Sequence, residues 1–578
     1  MFSKYYESEL AYLRELGRAY AQEHPSTAGL LAERSGDPDV ERLLEGVAFI
    51  AAKVRERTDD AIPEVVHELA DLVVPHYLRP IPATTIVQFK PQARALRGAV
   101  PVPRGTELGS VPVDETSLLF RTTQDLTLLP VTVDEVIHET PSATAPLLRM
   151  VVSAPGPGLK ALTEQGRLRL YIHGEYALAS TLLLWLLRHC RSVSIGEPGA
   201  TAPGVRLPPG SIRPVGFDAD SALFPWPALS SHGYRILQEY FTLPEKFLFF
   251  ELSGLDRVPL KEKFEVRFEF ERPPPLGLRV PRDVFRLHCA PAINLFRADA
   301  EPLRFHAPGQ EQLIRAAGVD PLHMEVYSVD QVLSARSGSP ERETLQAFTA
   351  FAHAGGGGAF YRLRRSASPI DEGVDTYLSL ETPRDVEPRL EERTLSLELT
   401  CTHRALPRRL RLKDVSVPAP SSPALAQFEN LLPVSQPLRP PLGSELLWRV
   451  LSHVALVKRS LAEDGLLSAL VGLYNFQAFG DEPVGRANTR RAEAVGKVRV
   501  EPSRRLHQGA VVRGQHTVVE LDETGFVSPG DAFLFGSVLD ELLASHLTLN
   551  AFQTLSTLQL PSRTETRWTP RTGSQPLL

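Results

Sequence analysis

The chain is predicted to be a multidomain α+β protein, with a helical N-terminal region followed by β-rich domains with interspersed helices. Three observations predict this class. Apolar residues recur at helical spacing through the first eighty positions, and the period shifts toward two from Thr84 onward. Fifty prolines among 578 residues exceed the average usage of about 5%. Proline interrupts helix and sheet ladders alike, so short elements and many loops are expected. A chain this long also exceeds a single core.

Residues 1–80 read as three helices. Ser3 suits an N-cap, and Tyr6, Leu10, Leu13 and Tyr20 recur at helical spacing until Pro25. Asp37 can cap a second helix, with Pro38 in its first turn. Val40, Leu43, Leu44, Val47, Ile50, Ala51 and Val54 then form an apolar stripe. A third helix begins near Pro63 and uses Val65, Val66, Leu69, Leu72 and Val73. Such stripes either pack into a local three-helix core or join a bundle with partner helices.

From Thr84 to about Phe270, strands dominate. Leu168, Leu170 and Ile172 alternate with polar residues. Phe264, Val266, Phe268 and Phe270 alternate with Glu265, Arg267 and Glu269, which predicts a half-buried strand with one wet face. One helix, about Ser180 to Arg188, interrupts the region. The middle, about 280–415, mixes a helix around Glu341 to Ala352, a strand at Phe360 to Leu363, and the alternation Leu395, Leu397, Leu399. Prolines from Pro418 to Pro441 then mark an extended, semi-rigid linker. A helix from Ser444 to Leu461, strands near 495–521 and a helix near 536–549 complete the chain. The expected domains are a helical region at 1–82, a β-rich domain at 83–275, a mixed domain at 276–417, a linker at 418–443 and an α+β domain at 444–578.

Chemistry is hard to find. Cys190, Cys289 and Cys401 are far apart and no CxxC occurs, so neither a disulfide framework nor a thiolate zinc site is supported. His67-Glu68-Leu69-Ala70-Asp71 has Asp71 where a zinc helix needs its second histidine. Gly355 to Gly358 follow an expected helix and precede a strand, the reverse of a phosphate loop. Asp218-Ala219-Asp220 begins like a calcium loop but lacks its later glycine and glutamate. No catalytic, cofactor-binding or metal residues are assigned. A formal net charge of −6 gives no reason to expect a nucleic acid partner. The basic stretch Arg486, Arg490, Arg491, Lys497, Arg499, Arg504, Arg505 and Arg513 lacks interleaved aromatics, so it reads as a solvated face or a contact for an acidic protein patch. The opening decapeptide lacks the basic-then-apolar grammar of a secretory signal. The longest strongly apolar run, Leu182 to Leu187, is too short to span a membrane. A reducing cytosolic setting is expected.

The densest aromatic segment is Gly233 to Phe250, which holds Tyr234, Tyr240, Phe241, Phe247, Phe249 and Phe250. It predicts a helix ending near Phe241, a break at Pro244 and a strand over Phe247–Leu252. It reads as a packing device and points from catalysis toward assembly.

This segment closely resembles the central signature of the TssF family, baseplate subunits of the bacterial type VI secretion system. The resemblance extends to Tyr5 to Gly17, Asp37 to Phe49, Val74 to Pro80 with Val87-Gln88-Phe89, Pro291 to Phe296, Val326 to Asp330, Gly530 to Phe535, and Asn550-Ala551-Phe552. It covers nearly the whole chain in order. It implies a non-catalytic scaffold similar to the wedge proteins of contractile-phage baseplates. Two copies would associate with one TssG, and TssK would link that unit to the membrane complex. TssE, the sheath and the spike hub would be further partners in a cytoplasmic assembly recruited to the inner membrane. Tyr234, Arg235, Glu239, Tyr240, Phe241 and Phe247 are then signature residues expected in a core. Tyr5, Tyr12, Arg14, Glu41, Arg42 and Glu45 are candidates for a partner interface. Two other readings stay open: a wedge protein of another contractile injection machine, and a β-rich protein that acts on or binds glycans.

Overall fold

A computed structural model describes Tyr6, residues 10–13, Leu16, Asp39, residues 42–53, Ala70, and residues 74–573 with internal gaps. The gaps are 93–94, 140–145, 201–203, 227–229, 273–277, 307–309, 337–341, 349–359, 369–370, 372, 382–392, 441, 443–448, 450–451, 453–462, 464, 481–482, 508–509 and 548–550. The chain divides into two compact units, Met1–Val74 with Leu442–Leu451, and Pro75–Pro441 with Ser452–Leu578.

In the first unit, residues 42–53 are helical. Ala48 and Ala52 turn inward, whereas Leu43, Val47, Phe49 and Ile50 stand in solvent. Much of the apolar stripe expected on this helix is therefore unburied within the chain. Most of the remaining expected helical region lies outside the described residues, as do the His67–Asp71 motif, apart from Ala70, and the tetraglycine.

The second unit is built from mostly antiparallel sheets. A six-stranded sheet runs in the order Val417–Pro418, Glu107–Val113, Thr116–Thr122, Cys289–Ile293, Thr84–Pro91, Ala426–Asn430. Its core includes Val87, Phe89, Leu108, Phe120, Ala292 and Phe428. The proline-rich stretch is thus held along most of its length: Val417–Pro418 and Ala426–Asn430 are edge strands, and Leu438 bridges to Ile81. A joint able to adjust there would have to lie beyond these anchors.

A second pair of sheets, led by Arg393–Thr402 and by Val374–Glu381, shares one core around Leu378, Leu380, Leu395, Leu397 and Leu399. Here the expected helix over 341–352 is corrected. Arg342–Thr344 and Gln346–Ala347 are short strands, paired with Glu325–Arg336 and Phe360–Ala367. Pairing with long neighbouring strands overrides a weak local preference.

The strand Lys263–Phe270 lies centrally in a five-stranded sheet, between Cys190–Gly196 and Leu147–Ser153. Its polar face is not wet as the alternation predicted. Glu265 is fully buried, paired with Arg149 at 2.7 Å and Arg267 at 2.6 Å. The buried carboxylate is tolerated because two guanidiniums surround it.

Four helices organise the functional region. They are α1 (Tyr176–Leu184), α2 (His232–Thr242), α3 (Pro483–Glu493) and α4 (Pro529–Ala544). The helix expected at Ser180 to Arg188 starts four residues earlier and ends in a π turn, Trp185–His189. The helix expected near 536–549 begins at Pro529, where the Ser528 hydroxyl accepts from the Asp531 amide. The strands near 495–521 form one long hairpin, Val495–His507 with Ala510–Asp522. Ala551–Leu560 joins it in parallel.

Glu325, on its sheet's central strand, is fully enclosed and accepts from the Val374 amide at 2.6 Å. Burial lifts its carboxyl to about 7 from an ordinary 4.5. A raised carboxyl contributes stability below its ordinary value and loses it as pH climbs through the folded one. Glu325→Gln should therefore gain on the parent chain as pH rises from about 5 to 8, by about 2–3 kcal/mol. Thermal unfolding across that range checks this, and a pH-independent difference counts against it.

Candidate functional site

The aromatic segment folds as expected in outline. Helix α2 covers His232–Thr242, a 3-10 turn spans Pro244–Phe247, and the strand runs Phe249–Ser253. Every residue from Gly233 to Thr242 is buried. Tyr234, Arg235, Glu239, Tyr240, Phe241 and Phe247 all lie inside. A helix buried on every face must satisfy its polar side chains internally.

Two ionic clusters do so. In the first, Glu239 accepts from Arg235 Nη1 at 3.0 Å, from the Leu223 amide at 2.6 Å, and from Lys246 Nζ. Arg235 Nη2 also donates to the Asp218 carbonyl at 3.1 Å. His232 Nε2 donates to the Phe217 carbonyl at 2.9 Å, which leaves Nδ1 to accept from Arg235 at 3.0 Å. Burial, and then Arg235, push the His232 imidazole down, consistent with that neutral tautomer. Burial pushes the Lys246 ammonium down to about 8 against the pull of Glu239. Asp218-Ala219-Asp220 leads into a 3-10 turn at Ala219–Ser221 beside this cluster, and the described residues hold no group of carboxylates or imidazoles arranged for a metal.

The second cluster joins all four helices. Asp531 of α4 accepts from the Tyr176 hydroxyl of α1 at 2.8 Å and the Tyr240 hydroxyl of α2 at 2.7 Å. Its other oxygen accepts from Arg491 of α3, with Nε at 3.1 Å and Nη2 at 3.0 Å. The Arg491 guanidinium lies over both tyrosine rings, 5.6 and 5.8 Å from their centroids. Asn488, next along α3, donates to the Phe241 carbonyl at 3.0 Å and accepts from Arg491 at 2.8 Å. Burial raises both phenols well above their ordinary value. Sequence reasoning placed Arg491 on a solvated basic face, whereas it is buried, and it gave Asp531 no role beyond the Gly530–Phe535 resemblance. Ser528-Pro529-Gly530-Asp531 is a helix-start signal that could have drawn attention to Asp531.

An aromatic knot surrounds α2. Tyr234 stacks on Tyr474 at 5.3 Å, and the Tyr474 hydroxyl lies 3.0 Å from His76 Nε2. His76 packs on Trp226 at 4.5 Å. Arg79 donates to the Pro225 carbonyl at 3.2 Å, as does the Tyr327 hydroxyl. Asn294, fully buried, accepts from the His403 amide at 2.9 Å and donates to the Leu119 carbonyl at 2.8 Å. Stretches far apart in sequence, Pro75–Pro80, Gly233–Phe250, Val326–Asp330 and Gly530–Phe535, thus meet in or around one region. These contacts fix sheets to helices.

Two glycines set the helix spacing. A Cβ on Gly530 would lie 2.2 Å from the Ser180 carbonyl carbon, and one on Gly233 would lie 2.6 Å from Leu542 Cα. Gly530→Ala should destabilise the unit by about 1–3 kcal/mol or more. Gly472→Ala, where nothing lies within 4 Å, should stay within about 0.5 kcal/mol. Equal melting shifts for the two variants would contradict this.

Of the interface candidates, Tyr12, Arg42 and Glu45 are exposed, while Tyr5, Arg14 and Glu41 lie outside the described residues. In the basic stretch, Arg491 is buried and Arg499 pairs with Glu520 at 2.9 Å.

Comparison with known proteins agrees over the full length. The family profile "Type VI secretion system, TssF" matches residues 1–575. The chain is 32% identical to the type VI secretion system component TssF1 of Pseudomonas aeruginosa, covering 100% of this chain and 99% of that protein. It is similar to a chain of the solved type VI TssK-TssF-TssG baseplate subcomplex, with 31% identity and a TM-score of 0.79 over 93% of this chain and 99% of that one. It also resembles a chain of a solved type VI baseplate complex, with 27% identity and a TM-score of 0.65 over all of both chains. The fold, its buried signature and these full-length matches agree: this chain belongs to the TssF family of the type VI secretion system.

Proposed function

We propose that this chain is a structural scaffold subunit of a type VI secretion baseplate wedge. Two copies assemble with one TssG, and TssK connects that unit to the membrane complex. The wedge supports docking of the spike hub and polymerisation of the tail sheath. The assembly is cytoplasmic and is recruited to the inner membrane. The carrying observation is the full-length likeness to a chain solved in the TssK-TssF-TssG subcomplex. A signature taken up by internal packing suits a scaffold.

The helix at 42–53 supports a partner bundle. Leu43 is 70% and Ile50 65% exposed, and they continue along one side with Val47. Arg42 and Glu45 are exposed on the same helix, and Tyr12 is exposed on the preceding helical stretch. Such a face is a typical helix-in-bundle contact.

Co-expression with TssG and TssK, followed by native mass measurement, tests the reading. The expected result is a stable assembly with two copies of this chain per TssG. Recovery of this chain alone would overturn it. Arg14→Glu separately probes the interface; unchanged TssG recovery excludes the surface around Arg14.

A further inference from the structure

The long C-terminal hairpin is built unlike a simple edge of a sheet. Its root is buried, with Val495, Val498, Val519 and Leu521 inside. Pairing with the third strand begins at Arg513, opposite Ala551. Beyond that point, among the described residues, the hairpin is a ribbon of two strands, which is marginal in water without support.

The distal ribbon carries two uncompensated features. Leu506 and Val511 face each other across the strands and are 69% and 68% exposed. One step toward the root on the same face, Arg504 lies directly opposite Arg513. Like charges placed so are destabilising. Both are exposed, and neither has a carboxylate partner among the described residues. Residues 502–519 contain no Asp or Glu. Protection of an edge strand accounts for Pro502 and for arginines in general. It does not account for an exposed aliphatic pair beside two facing guanidiniums.

We propose that this face docks a protein segment in which a carboxylate is flanked by aliphatic residues. The carboxylate sits between Arg504 and Arg513, and the aliphatic groups cover Leu506 and Val511. The paired guanidiniums then gain a shared counter-charge, which converts a repulsion into a bridge. Protein is favoured over nucleic acid because the tip is aliphatic and no aromatic residue lies between Phe479 and Phe526 to stack a base. The inference is independent of the wedge reading.

The test uses the full chain and two fluorescent probes, a peptide of alternating glutamate and valine and a single-stranded oligothymidine. The peptide should bind, more weakly as salt rises. R504E/R513E should weaken it at least about tenfold, and L506S/V511S should weaken it with an unchanged melting curve. The proposal fails if the peptide does not bind, or if both double variants bind it like the parent. Preferential binding of the oligothymidine, lost in R504E/R513E, would replace it with a nucleic acid site.

Discussion

Replacing Glu239 with alanine is expected to remove most of the stability of the β-rich unit. Glu239 is fully buried and is the carboxylate shared by Arg235 and Lys246, which are 2% and 0% exposed. Lysine can respond by losing its proton, and burial already pushes Lys246 down to about 8. Arginine cannot. Arg235 would keep only carbonyl and imidazole partners for its charge, and the Leu223 amide would lose its acceptor. Breaking a buried pair from one side costs about 3–5 kcal/mol, a large share of the stability of a typical domain. The variant should accumulate in the insoluble fraction and, where recovered, unfold well below the parent. Lys246→Met provides the contrast. It leaves a one-to-one Arg235–Glu239 pair and a side chain of similar volume, so its cost should be clearly smaller. If Lys246→Met proves as damaging as Glu239→Ala, the shared-carboxylate account is wrong.

What the sequence revealed and hid follows from the range of the forces involved. Alternation along Leu395, Leu397 and Leu399 marks a strand because side chains on a strand take alternate faces. The helix–break–strand reading of the aromatic segment rests on local signals, chiefly Pro244, and the structure has those elements. The helix expected over 341–352 became strands because partners elsewhere in the chain supplied the ladder. Glu265 read as solvent-facing because alternation cannot show that a second layer covers the polar face. Arg149, which neutralises it, lies 116 residues away. The tightness at Gly530 and Gly233 was equally hidden, since it depends on which backbone approaches from outside. The signature was recognisable as a pattern, but its physical reason is long-range convergence.

Asp531→Ala is expected to cost about as much as Glu239→Ala, through a different structural route. One carboxylate here serves three side chains from three helices, Tyr176, Tyr240 and Arg491. Removing it leaves a buried guanidinium without its counter-ion, worth about 3–5 kcal/mol. It also leaves two buried hydroxyls without an acceptor, each worth about 1–3 kcal/mol before relaxation. Relaxation and shared partners make these losses overlap, so a net loss near the upper end of the first range is expected. The overlap can itself be measured. Arg491→Met alone should also be destabilising, because it leaves Asp531 charged and enclosed. Once Asp531 is alanine, however, Arg491→Met removes a liability. The double variant should therefore be more stable than the sum of the single losses predicts, by about 2–3 kcal/mol. Strict additivity would mean the pair is incidental. A strong coupling would show that α1, α2, α3 and α4 are held in register by one charge. Any partner surface displayed by the C-terminal hairpin would then inherit its position from Asp531, because α4 packs against the sheet from which that hairpin extends.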